Sequence, residues 1–190
     1  DNRNQYARLV DDDTLFTVPI EWAQVVNRLA IEPPVGRLYE IDPQTVFVVQ
    51  FFSADSTTKY VIEEGTGRWF LDGEDPQPVD PRAWAESLLL LSNPRIEQII
   101  ARDIDDPSLY GLDPPETAVV IVRQGGLRSI EFHIGDVTPD GEHRYVSVIL
   151  GSVITQDTNL YGVLSSRIDK IVALATDPVL EGAASNTPQG

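Results

Sequence analysis

The sequence contains no cysteine and no methionine, only two histidines, and fourteen cationic residues against thirty acidic ones. Without cysteine there is no disulfide, no thiol nucleophile and no thiolate metal ligand. The formal charge of −16 argues against nucleic acid and anionic lipid as partners, because both select clustered Lys and Arg. It favours a well-solvated surface and basic or neutral partners. No Gly-x-Ser-x-Gly elbow accompanies His133 or His143, so a Ser-His-Asp site has no nucleophile to use. No glycine-rich loop is present to cradle phosphate. Methionine is missing even at position 1, so the chain is expected to begin inside a longer product. It contains no signal peptide and no apolar run of about 18 residues. Any membrane anchor is therefore expected upstream, or already removed.

What is present suffices for a core. Of the 190 residues 42% are hydrophobic, and folding a chain of this size buries roughly 70% of its unfolded surface. The length fits one domain or two small intimate ones. Two segments align. Leu38-Tyr39-Glu40-Ile41-Asp42-Pro43 leads into the apolar run from Thr45 to Phe52, and Leu109-Tyr110-Gly111-Leu112-Asp113-Pro114 leads into Ala118 to Val122. The β-branched and aromatic content of both runs, with Pro and polar residues around them, predicts strands. Their near-continuous apolarity predicts central strands covered on both faces.

Each opening strand is followed by a turn and two more strands. The first copy continues through Lys59–Glu63 and Arg68–Leu71. The second turns at Gln124-Gly125-Gly126 and continues through Ser129–Ile134 and Tyr145–Leu150. Each copy then closes with a helix. Asp80-Pro81 starts the first one, since the carboxylate can cap free N–H groups and Pro at the first position sacrifices no hydrogen bond. Trp84, Leu88 and Leu91 give it an apolar face, and Asn93-Pro94 stops it. In the second copy Ser165 or Ser166 is expected to cap a helix carrying Ile168, Ile171 and Leu174, which ends at Asp177-Pro178.

Residues 1–35 resemble the back half of the same plan, with Leu15–Val18 and Val26 to Pro33 matching Leu160–Val163 and Ile171 to Pro178 at one ungapped offset. Tyr6 to Val10 would be the strand before them. The expected fold is thus α+β, with tandem repeated units of antiparallel β-meander plus one packing helix. The boundaries expected are 1–35 for a preceding half unit, 36–106 and 107–180 for two units, and 181–190 for a flexible tail.

Candidate chemistry is sparse. Gly111 suits a positive-φ turn, Asp42 and Asp113 suit local backbone hydrogen bonds, and the prolines fix the lead-in to the strand. Asp136-Val137-Thr138-Pro139-Asp140-Gly141 can be compared with a calcium loop, but Thr138 and Ser147 stand where an EF-hand needs carboxylates, so a turn is expected. Asp11-Asp12-Asp13 and Asp103-Ile104-Asp105-Asp106 read as solvated turns. His133 alternates with Phe132 and Ile134 in a strand. Trp22, Trp69 and Trp84 lie in periodic apolar contexts and read as core. No catalytic residue, cofactor-binding residue or metal ligand is singled out.

The segments Tyr110-Gly111-Leu112-Asp113-Pro114-Pro115 and Ile134-Gly135-Asp136 to Thr138-Pro139-Asp140-Gly141, with Tyr145, resemble the DUF4340 domain family. Gly67–Leu71, Pro78-Val79-Asp80 and the Leu88–Leu91 helix resemble its front half, so the resemblance covers about Arg37 to Pro178. Glu40-Ile41 departs from the family's opening motif. The resemblance implies an extracytoplasmic repeat region, one N-terminal membrane anchor that this chain lacks, and association with ABC transporters of the gliding-motility type. It implies no catalytic residues. The function expected is a non-enzymatic interaction or scaffold module of a membrane-anchored protein, with a protein partner in a membrane or envelope complex. The alternative is a module that binds a small molecule, glycan or calcium between units.

Overall fold

The computed structural model describes residues 4–7, 14–19, 36–125, 129–151 and 157–182. The chain divides into two compact units, 1–35 and 36–190. In the first, β1 (Asn4–Ala7) pairs antiparallel with β2 (Phe16–Pro19), Asn4 opposite Pro19 and Ala7 opposite Phe16. The helix expected before Pro33, with Trp22, lies outside the described residues, as do Asp11 to Asp13.

The second unit is a mixed α+β body. One antiparallel sheet runs in the order β7-β6-β5-β4-β10-β11-β12-β13-β9. Its strands are β4 (Val46–Ser53), β5 (Thr57–Ile62), β6 (Trp69–Leu71), β7 (Gln77–Pro78), β9 (Gln98–Ala101), β10 (Thr117–Arg123), β11 (Ile130–Val137), β12 (His143–Leu150) and β13 (Asp157–Leu164). A separate short ribbon joins β3 (Gly36–Arg37) to β8 (Arg95–Ile96). Two helices, α1 (Pro81–Ser92) and α2 (Ser165–Thr176), complete it.

Both meanders extend outward from a central pair. β4 and β10 lie side by side, with Val49 opposite Ile121 and Phe51 opposite Val119. Because side chains alternate along a strand, one face carries continuous rows across the sheet. Tyr60, Val49, Ile121 and Ile130 form one row, and Phe51, Val119, Phe132 and Val148 form the next. All eight are buried, as are Trp84, Leu88 and Leu91 of α1 and Ile168, Ile171 and Leu174 of α2. Each such side chain contributes about 1.5–3 kcal/mol by leaving water.

The opposite face differs from the expectation of central strands covered on both sides. There Val48, Val120 and Val122 are only half-buried, and Phe52 is 40% exposed. Gln50, Lys59, Glu131 and His133 share that face. Its apolar residues make β4 and β10 read as doubly covered, yet the two described helices serve the other side.

The α1 termini follow the sequence. Asp80 Oδ1 accepts from the Arg82 and Ala83 N–H groups at 3.0 and 2.8 Å, and Pro81 occupies the first turn. At its far end the Ser92 and Pro94 carbonyls accept from the Ile41 and Leu38 N–H groups, both at 2.9 Å. The first opening motif therefore supplies donors that this helix end would otherwise lack. The α2 start is a correction. Neither Ser165 nor Ser166 caps it; Leu164 holds the N-cap position with no side-chain cap bond. Glu97 takes over, its Oε2 accepting from the Leu164 N–H at 3.0 Å while Oε1 accepts from Arg167 at 2.7 Å.

The sheet is tied to α2 through Tyr60, whose buried hydroxyl donates to the Leu174 carbonyl at 2.5 Å, and Thr58, which donates to Ala175 at 2.8 Å. Burial, and then the Asp177 charge, push the Tyr60 phenol above its ordinary range. Tyr60→Phe leaves the Leu174 carbonyl without this donor and is expected to lower stability by about 1–2 kcal/mol. Urea denaturation with an unchanged slope and an earlier midpoint checks it. After α2 the chain returns to the β7 edge, where Leu180 bridges Val79 and the Glu181 N–H donates to the Pro78 carbonyl. Residues 183–190 lie outside the described ones.

Candidate functional site

The two segments that carry the family resemblance meet in space. Gly111 adopts φ +67°, and a Cβ there would sit 2.6 Å from Asp136 Oδ1. Gly135 lies closer still, since its Cβ would fall 2.1 Å from the Tyr110 carbonyl oxygen. The Tyr110 and Tyr145 rings meet edge-on at 5.1 Å. Arg144 donates to the Gly135 carbonyl at 3.1 Å and pairs with Glu116. The Asp113–Pro114 peptide is cis.

Beside this junction, the turn joining β11 to β12 is internally satisfied. Buried Thr138 donates to Asp140 Oδ1 at 2.6 Å, the Glu142 N–H donates to the same oxygen at 2.9 Å, and His143 Nδ1 lies 3.2 Å from Oδ2. Those bonds, Thr138 first, hold the Asp140 carboxyl at a pKa of about 2. Both carboxylate oxygens have partners within the turn. Because the folded state holds this proton more weakly than the unfolded chain, Asp140 stabilises the fold above pH about 4. That contribution is lost as pH falls through about 2. Asp140→Asn is expected to flatten the fall in stability between those pH values, read as melting temperature against pH.

The other sequence candidates also take structural places. Asp42 accepts from the Gln44 N–H at 2.9 Å and caps a 3-10 turn, Pro43–Thr45. Asp106 caps Pro107–Tyr110 through the Ser108 N–H at 3.1 Å. Asp103 adopts φ +53°. Tyr39 is buried, which pushes its phenol upward. Trp69 and Trp84 pack at 5.0 Å in the core. His133 sits 2.6 Å from Glu131 on the helix-free face. Among the described residues no cluster of three His, Asp or Glu side chains is placed to hold a metal, and no helix is long and apolar enough to cross a membrane.

A groove of about 610 Å³ lies where the first opening motif, the end of α1 and the start of α2 converge. Ile41, Pro43, Leu89 and Leu90 supply apolar walls; Ser92, Asn93, Arg95 and Arg167 supply polar groups, with Glu40 also lining it. Its size falls within the usual range for ligand sites, roughly 300–1,000 Å³. Ser92 Oγ and Asn93 Oδ1 are buried without a hydrogen-bond partner. Leu89 is 64% exposed. None of these polar residues is recognisable as a site from sequence, because Asn93 and Arg167 lie far apart along the chain. A lone arginine just past a proline-terminated helix is the only signal, and it is weak.

Comparison with family models, with curated proteins and with solved structures returns no match.

Proposed function

We propose that this chain is a non-enzymatic, extracytoplasmic interaction module of a membrane-anchored protein, an accessory of an ABC-transporter or another envelope complex. The observation that carries the reading is the groove, where apolar walls and unsatisfied polar groups converge beside an exposed leucine. The resemblance to the DUF4340 domain family supplies the compartment, the anchor and the class of complex. The same proposal takes 36–106 and 107–180 as copies of one unit. It is supported by the shared Leu-Tyr-x-(Ile/Leu)-Asp-Pro opening and by the element order, a four-stranded meander followed by a helix in each.

A second reading, a ligand-binding module acting between units, is favoured by the groove drawing Glu40 to Arg95 from one half and Arg167 from the other. A direct test immobilises the chain, exposes it to native membranes and compares wild type with Leu89→Glu. Leu89 is exposed, so the variant is expected to fold normally while losing the envelope protein that wild type retains. Equal retention by both would remove the groove from the partner surface; no retention by either would sink the interaction reading.

A further inference from the structure

We propose that the α1/α2 groove takes a carboxylate carried on an apolar body. This rests on the groove being a recognition site and names the chemistry it selects. Arg95 is exposed and lines the groove, and among the described residues no carboxylate pairs with its side chain. Other cations near the groove are engaged: Arg167 bonds to Glu97 and to the Arg95 carbonyl, and Arg37 pairs with Glu40. Arg95 therefore offers a free planar fork of donors, the geometry that suits a carboxylate.

Ser92 lines the same groove and is only 2% exposed, and its hydroxyl has no partner among the described residues. A buried unsatisfied polar group is costly, and this one lines the groove. A ligand oxygen, reached by rotation of the serine side chain, would satisfy it. Ile41, Pro43, Leu89 and Leu90 offer surface for an apolar substituent. A phosphate ester or a sugar would leave those four residues unmatched, and a purely apolar ligand would leave Ser92 and Arg95 unused.

Such a carboxylate is found on a free organic acid or at the C-terminus of a polypeptide. Calorimetric titration distinguishes them using 4-phenylbutyrate and its amide, and a short peptide ending in two leucines with a free or an amidated C-terminus. The acid, the free-ended peptide or both are expected to bind about tenfold or more tightly than the matching amide, the scale of a charge-assisted hydrogen bond. Arg95→Gln is expected to abolish that preference, and Ser92→Ala to weaken the acid while leaving the amide unchanged. Binding of acid and amide with equal affinity would overturn the carboxylate while leaving a recognition groove. No binding by any of the four probes would overturn the inference, even if Leu89→Glu still released a membrane partner. Carboxylate binding with membrane capture indifferent to Leu89→Glu would instead support the inference and defeat the protein-partner reading.

Discussion

Trp84→Ala is expected to cost about 3–5 kcal/mol, the range for removing a large buried aromatic side chain. At about 2–4 °C per kcal/mol for a chain of this size, that lowers the melting temperature by roughly 6–20 °C. Trp84 is 1% exposed and joins three elements. Its ring stacks on Tyr60 at 4.3 Å, and Tyr60 meets Phe51 edge-on at 6.1 Å, so α1 is joined to β5 and β4 through one aromatic chain. Trp69 of β6 approaches the same indole at 5.0 Å. Alanine would empty the centre of this cluster, and rings held on two separate strands cannot both collapse inward. Trp84→Phe keeps a stacked ring and is expected to lose less than half as much. An alanine variant melting within 3 °C of wild type would show that α1 is not anchored by this residue.

The architecture was legible wherever local chemistry decides it. Asp80-Pro81 and Asn93-Pro94 bracket α1 because capping and proline geometry act over one turn. The runs from Thr45 and from Ala118 read as strands because β-branched residues fit a pleated, half-buried surface. Features built from distant partners were not legible. The α2 cap comes from Glu97, whose carboxylate meets the Leu164 N–H, while the sequence offers two adjacent serines as the obvious cap. The sheet's half-open face was also misread: Val48, Val120 and Val122 have the apolarity of covered residues, but periodicity does not say which side the helices take.

Those distant contacts also shape the candidate site. The Ile41 N–H is spent on the Ser92 carbonyl and the Leu38 N–H on the Pro94 carbonyl, so the opening motif seals the end of α1. Arg167 reaches the Arg95 carbonyl from α2, closing the other wall. Each residue has an ordinary local role, and the groove is what remains between them. Motif scanning looks for chemistry at fixed spacing, and so it passes over a site whose apolar wall comes from the opening motif and whose polar groups come from one helix end and another helix start.

Gly135→Ala is expected to be the most damaging of the glycine substitutions, costing about 3 kcal/mol or more by overpacking. Its new Cβ would lie 2.1 Å from the Tyr110 carbonyl oxygen and 3.1 Å from the Gly111 carbonyl. These are backbone atoms, with no flexible end to swing aside. The register of β11 against β12 shifts immediately beside it, between Ile134 and Val137. A glycine at such an irregularity lets another backbone approach closely. Gly141→Ala isolates the opposite case: φ is +77°, but nothing lies within 4 Å. Only conformational strain of about 1–2 kcal/mol is expected there. Gly111 combines both demands, with φ +67°, Asp136 Oδ1 at 2.6 Å and the Asp136 backbone nitrogen at 2.9 Å; the carboxylate can rotate away, but the backbone nitrogen cannot, and its overlap is milder than the one at Gly135. Gly111→Ala is therefore expected to fall between the other two. Urea denaturation of the three variants tests the order directly, and equal losses at Gly135 and Gly141 would mean that the Tyr110–Gly135 approach is not what the motif's glycines protect.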